Sequence, residues 1–227
     1  MTTVRYVERK PLITSDGPPP LLIMLHGYGS NEQDLIGLAP YLDQRLHIIS
    51  TRALFDIGFG FAWYQLGGMP GNLQQDDNTL KQSLDVLLKF VEGIPEHLGA
   101  DPSRVYLFGF SQGAVMSIDV ALIYPERIAG VIAISGYLDP TVHDWVNTDQ
   151  LHRLHALVMH GNVDDVIPVA GGRGIRDFLQ TTPVQLNYYE YDIGHGIHPQ
   201  ALTVMQQWLR ERIEAQGPAT DTTAGMV

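Results

Sequence analysis

The segment Val105-Tyr106-Leu107-Phe108-Gly109-Phe110-Ser111-Gln112-Gly113 decides how the rest of the chain is read. Its first four residues form an apolar, aromatic-rich run suited to a buried strand, and its last five fit the pattern G-x-S-x-G. Residues 112–124 then carry Ala114, Val115, Ile118, Ala121 and Leu122 over a broad arc, which predicts a helix buried against a sheet and ended by Pro125. A serine at a sharp strand-to-helix turn needs small neighbours, because a Cβ at either flanking position would collide with the strand or the helix. The turn lifts its hydroxyl clear of the sheet, at a helix N-terminus whose free N–H groups favour developing negative charge. As a bare string the pattern also describes a serine that only caps a helix. The strand before it and the helix after it favour a nucleophile.

Outward from this turn, short apolar runs alternate with segments of helical period. Strands are expected at 4–8, 21–26, 46–51, 104–110, 128–135, 157–160 and 185–191. One helical stripe joins Leu80, Leu84, Leu87, Leu88 and Val91, with Thr79 and Gln82 placed as a capping box near its start. Another joins Leu202, Met205, Trp208, Leu209 and Ile213, opened by Pro199 and closed by Gly217 and Pro218. This alternation predicts an α/β fold with a mostly parallel central sheet flanked by helices on both faces. No internal repeat or composition shift divides residues 1–216, which read as one domain; the small polar residues of 217–227 read as a disordered tail. Residues 53–78 stand apart as a long loop in which Phe55, Phe59, Phe61, Trp63, Tyr64 and Met69 are interleaved with glycines. Such a stretch either borders a site or plugs the core.

Composition narrows the chemistry. The 227 residues suffice for a domain that hides roughly three quarters of its unfolded surface. Fourteen Lys and Arg against 25 Asp and Glu give a formal charge of −11, which repels phosphate backbones and anionic headgroups and argues against nucleic acid as a partner. With no cysteine there is no disulfide framework, thiolate zinc site, iron–sulfur cluster or thiol nucleophile. The first twenty residues lack the apolar run of a signal peptide, and no later window approaches a membrane span. A soluble, cytoplasmic protein without integral membrane association is the expectation.

A serine hydroxyl becomes a nucleophile only when a base removes its proton, and a histidine base needs an acid to fix its tautomer. After a G-x-S-x-G turn the chain order is Ser, acid, His. The acid is expected on the loop after 157–160, where Asp164 is preferred and Asp165 competes. The histidine is expected after the last strand, in Tyr191-Asp192-Ile193-Gly194-His195-Gly196; His195 leads, and His198 beside Pro199 reads as a cap or a solvent-facing residue. Ser111, Asp164 and His195 are 53 and 31 residues apart, room for a helix and a strand each time. Zinc on His195 and His198 is disfavoured by their spacing of three and the lack of any H-E-x-x-H or H-x-E signature. Oxyanion donors are expected from the backbone N–H of Gln112 and, after the strand 21–26, of Tyr28 in His26-Gly27-Tyr28-Gly29-Ser30.

These stretches together resemble the α/β-hydrolase superfamily, and within it the small carboxylesterase, phospholipase and acyl-protein thioesterase branch. LLIMLHGYGSNEQDL is similar to its oxyanion segment, VYLFGFSQGAVMSIDVALIYPERIAGVIAISGYL to its nucleophile region and next strand, HGNVDDVIP to its acid loop and YDIGHGIHP to its histidine loop. The resemblance runs from about residue 21 to 210. It implies a serine esterase without cofactor, metal or separate lid domain, with triad Ser111, Asp164 and His195 and oxyanion donors Tyr28 and Gln112. It also implies that Phe61, Trp63, Tyr64, Tyr137 and Leu138 border an acyl site. One departure is Asp165, where the branch usually has proline after the acid. The substrate implied is a short- to medium-chain carboxylic ester, with lysophospholipids and acyl thioesters open to the same chemistry, and a homodimer is among the states such proteins adopt. The rivals are a non-catalytic ligand-binding protein of the same fold and a small serine peptidase.

Overall fold

The computed structural model describes residues 4–14, 17–69, 72–146 and 148–215. In chain order the elements are β1 (Tyr6–Arg9), β2 (Leu21–Leu25), β3 (His47–Thr51), the short strands β4 (Phe55–Asp56), β5 (Phe61–Ala62), β6 (Leu66–Met69) and β7 (Asn72–Gln75), α1 (Asp77–Leu98), β8 (Val105–Phe110), α2 (Gln112–Ile123), β9 (Gly130–Ile134), β10 (His155–Gly161), α3 (Ala170–Leu179), β11 (Gln185–Tyr191) and α4 (Pro199–Ala215). Seven strands form one sheet in the order β1-β3-β2-β8-β9-β10-β11, with only β1 antiparallel to its neighbour.

Because side chains alternate along a strand, each central strand feeds two cores. Leu21, Ile23 and Leu25 of β2, with Val105 and Leu107 of β8, pack beneath α1, α2 and α3. Leu22 and Met24, with Tyr106 and Phe108, pack on the opposite face against Met205, Trp208 and Leu209 of α4 and the 3-10 turn Leu35–Tyr41. α2 is buried all round from Gln112 to Leu122, as a helix must be when the sheet lies under one side and α1 over another. No separate lid domain occurs, and no helix is long and apolar enough to cross a membrane, among the described residues.

Two expectations change, and one element goes unannounced. The cap of α1 is Asp76, whose carboxylate accepts the Thr79 N–H at 2.9 Å, so Thr79 receives the cap instead of providing it. The stretch 53–78 is not a bare loop: β4 pairs β5 and β6 pairs β7 as two small hairpins, too short for their alternation to stand out in sequence. α3 is hidden in the sequence because Gly171, Gly172 and Gly174 dilute its helical signal; Gly172 is needed where α3 crosses the His160 ring. The tail from Gly217, with the expected helix stop, lies outside the described residues, as does the Met69 side chain.

Candidate active site

β2 and β8 are neighbours, yet the connection after β2 runs to the α4 face and the one after β8 runs to the α2 face. Their carboxyl ends therefore mark the reversal of strand order where open α/β sheets leave a crevice. Ser111 sits there with φ 56° and ψ −122°, a backbone state that L-residues hold only when their surroundings enforce it. The enforcement is steric and hydrogen-bonded. A Cβ on Gly109 would fall 2.0 Å from the Gly113 carbonyl oxygen, and one on Gly113 would fall 1.9 Å from that of Leu25. The Ser111 N–H donates to the Ile134 carbonyl at 3.0 Å, while its own carbonyl accepts from Ala114 at 2.9 Å.

The loops after β10 and β11 bring Asp164 and His195 to this turn. His195 Nε2 lies 3.0 Å from Ser111 Oγ, and its Nδ1 lies 2.8 Å from Asp164 Oδ2. Asp164 Oδ1 accepts from the backbone N–H groups of Val166 and Ile167, each at 2.9 Å. Burial pushes the Asp164 carboxyl up, but the hydrogen bonds from His195, Ile167 and Val166 outweigh it and hold the group below its ordinary value. An ionised carboxylate at Oδ2 calls for a proton on Nδ1, which leaves Nε2 as an acceptor facing the serine hydroxyl. Both ring nitrogens of His195 are thus occupied, and none is left for a zinc shared with His198. Asp165 is exposed; His198 stacks on Tyr191 at 5.0 Å and accepts the Gln200 N–H at 3.1 Å where α4 begins.

On the other side of Ser111, the His26-to-Ser30 loop closes in. A Cβ on Gly27 would meet Ser111 Cβ at 3.2 Å. The Gly29 N–H donates to the Phe61 carbonyl at 3.0 Å and the Phe61 N–H to the Ser30 carbonyl at 2.8 Å, so β5 braces the loop. Gly60 is obligatory there, since its Cβ would fall 1.9 Å from the Gly29 oxygen. The backbone N–H groups of Tyr28 and Gln112 have no acceptor among the described residues, which leaves them free to receive an oxyanion. The Gln112 side chain is committed elsewhere: its Oε1 accepts from Trp63 N–H at 3.0 Å and its Nε2 donates to the Tyr64 carbonyl at 2.9 Å.

That clamp corrects the expected acyl wall. Trp63 is 0% and Tyr64 1% exposed, so neither can touch a substrate in this conformation. The Trp63 indole N–H donates to the His26 carbonyl at 2.9 Å, and the Tyr64 hydroxyl is bonded to that of Tyr137 at 2.8 Å. Both stand behind the wall and hold it. Phe61, Tyr137 and Leu138 are half-buried and keep surface, and Phe59, at 72%, projects beside Tyr28.

Residues 13–213 match the family described as Phospholipase/Carboxylesterase. The chain belongs to that family. It is 26% identical over 221 residues to acyl-protein thioesterase 1 of Eremothecium gossypii, spanning 87% of this chain and 89% of that one. A probable carboxylesterase, SOBER1-like, of Arabidopsis thaliana is 26% identical over 168 residues, 70% of this chain and 62% of its own. The crystal structure of esterase PE8 superimposes with a TM-score of 0.75 at 25% identity, covering 92% of this chain and 99% of that chain. This phospholipase/carboxylesterase relative is thus a serine esterase by family, and the matched span contains every residue of the site just described.

Two buried histidines lie within the oxyanion and acid-loop stretches without belonging to the triad. His26 is fully buried, with Nδ1 2.7 Å from the Gly27 carbonyl and Nε2 accepting the Ala53 N–H at 3.1 Å; burial lowers its affinity for a proton, consistent with this neutral tautomer. His160, behind Asp164, is the other. A shared signal is present all the same: the apolar strands β2 and β10 both run into a His-Gly pair, at 26–27 and 160–161.

Proposed function

We propose that this esterase hydrolyses short- to medium-chain carboxylic esters through an acyl-enzyme on Ser111. The continuous line from Ser111 Oγ through the His195 ring to Asp164 Oδ2, at 3.0 and 2.8 Å, carries the reading. Ser111 Oγ attacks the ester carbonyl carbon while its proton passes to His195 Nε2. The carbonyl electron pair moves to oxygen, and the N–H groups of Tyr28 and Gln112 receive that charge. The imidazolium, steadied by Asp164, then protonates the departing alcohol as the C–O bond breaks. Water repeats the sequence on the acyl-enzyme: His195 takes its proton, its oxygen joins the acyl carbon, and the proton returns to Ser111 as the acid leaves. No step requires a metal or cofactor.

Phe61, Tyr137 and Leu138 supply partly exposed apolar surface for an acyl chain. Similarity to a protein named acyl-protein thioesterase supports thioesters as further substrates. A peptidase is disfavoured, because the family is described as Phospholipase/Carboxylesterase and the relatives are named for ester and thioester hydrolysis. The test is a chain-length series of p-nitrophenyl esters and matched thioesters on wild type and Ser111→Ala. Turnover should fall by about 10⁴ or more in the variant with its melting unchanged. Retention of most activity would refute the reading.

A further inference from the structure

The histidine behind the acid carries a role that the triad alone does not explain. The His160 side chain is fully enclosed. α3 crosses it so closely that a Cβ on Gly172 would fall 2.5 Å from its Nδ1. That nitrogen has no hydrogen-bond partner, whereas Nε2 lies 2.8 Å from the Ile167 carbonyl oxygen. A carbonyl only accepts, so the proton is on Nε2 and the ring is an Nε2–H tautomer. The same nitrogen is 3.5 Å from Asp164 Oδ2, the oxygen that meets His195.

We propose that His160 is the positioning residue of the acid loop: its Nε2–H fixes the Ile167 carbonyl and so aims the Asp164 carboxylate at His195. Ile167 is the link between the two. Its N–H and that of Val166 hold Asp164 Oδ1, and its carbonyl is held in turn by His160. Among the described residues no second donor bonds the Ile167 carbonyl, and Glu190, in register with His160 across β10 and β11, is an acceptor already taken by Arg173 at 2.8 Å and Tyr188 at 2.8 Å. Without the Nε2–H, a part-buried carbonyl loses its partner and the turn relaxes to find another, which swings Oδ2 relative to the His195 ring. His160 touches neither substrate nor Ser111, so the effect belongs to turnover and not to substrate binding.

The inference rests on the triad reading, and its test separates the two. Wild-type protein is first treated with a fluorophosphonate; failure of Ser111 to label overturns the triad itself. With labelling established, kcat and KM for p-nitrophenyl butyrate are compared in His160→Phe, which keeps a planar ring without a donor, and His160→Gln, whose amide nitrogen reaches the place of Nε2. His160→Phe should lose about 10- to 100-fold in kcat with KM little changed, as expected for displaced catalytic groups. His160→Gln should recover most of that loss. Where His160→Phe fails to fold, His160→Asn takes its place, since its shorter amide sits at the Nδ1 position and misses Ile167. Wild-type kcat in the donor-free variant, a loss carried by KM, or a His160→Gln variant as slow as the donor-free one would each overturn the role of His160.

Discussion

Asp164, in the loop after β10, is buried yet receives three hydrogen bonds, from His195 and from the N–H groups of Val166 and Ile167. Asp119, eight residues beyond Ser111 on α2, is fully buried and neither of its oxygens has a partner. The two carboxyls are pushed in opposite directions. Hydrogen bonds hold Asp164 below its ordinary range, whereas burial, reinforced by nearby Asp139, drives Asp119 well above it. The difference lies in the backbone. At a strand end the chain leaves its ladder and can turn free N–H groups onto a carboxylate, but in mid-helix every N–H is already spent on the turn before. Buried charge is therefore sustainable at the loop end of this sheet and unsustainable inside α2.

Breaking the Asp164 side of that contrast should have the largest effect. Asp164→Asn is expected to lower kcat by about 10⁴, because the amide no longer enforces the Nδ1–H tautomer of His195. Asp165→Asn, one residue on and exposed, should stay near wild type in the same assay. Equal losses in both variants would show that the loop, and not its buried carboxylate, matters. On the Asp119 side the expected change is a gain in stability with turnover kept. Asp119→Asn should raise the urea midpoint at pH 8 by the equivalent of about 1 kcal/mol or more, since it removes an ionisable group that the interior cannot support.

The smallest effect, and the sharpest on sign, is the pH dependence. A carboxyl raised on folding favours the folded state below its ordinary value near 4 and loses that contribution as pH rises through its raised value, at up to about 1.4 kcal/mol per pH unit. Asp164, lowered on folding, contributes above its ordinary value and loses the contribution as pH falls through its lowered one. Asp119→Asn should therefore flatten the stability curve on the side above about pH 4, and Asp164→Asn on the acid side. Urea midpoints across the acid and neutral range check both slopes; the reverse assignment would contradict the contrast.

The parts of the molecule legible in the sequence are those where one residue type is forced. The central strands announce themselves because each is buried on both faces, and the Gly109-to-Gly113 turn because only glycine fits beside the carbonyls of Gly113 and Leu25. Ser111, Asp164 and His195 follow one another at strand ends, in the order the turn predicts, and meet within 3.0 Å. Less legible are positions where the same residue type serves two ends. Trp63 and Tyr64 carry the aromatic character of a ligand wall, but hydrogen bonds to His26, Gln112 and Tyr137 turn them inward. Phe61, two residues earlier, keeps surface because β5 pairs with the Tyr28 loop instead. Which neighbour in an alternating aromatic run keeps surface depends on pairing at a distance, here between Ser30 and Phe61. Asp119 is silent in the sequence for a related reason: a lone charged residue on an apolar helix declares nothing about its partners.

The central claim is that Ser111 is made nucleophilic by His195, itself held by a buried, ionised Asp164. Intact-mass spectrometry after fluorophosphonate treatment, with peptide mapping, tests it most directly. One adduct per chain on Ser111, formed far more slowly in His195→Ala and Asp164→Asn, is the expected result. Folded wild-type protein that stays unmodified, or that carries the adduct on another residue, would contradict it.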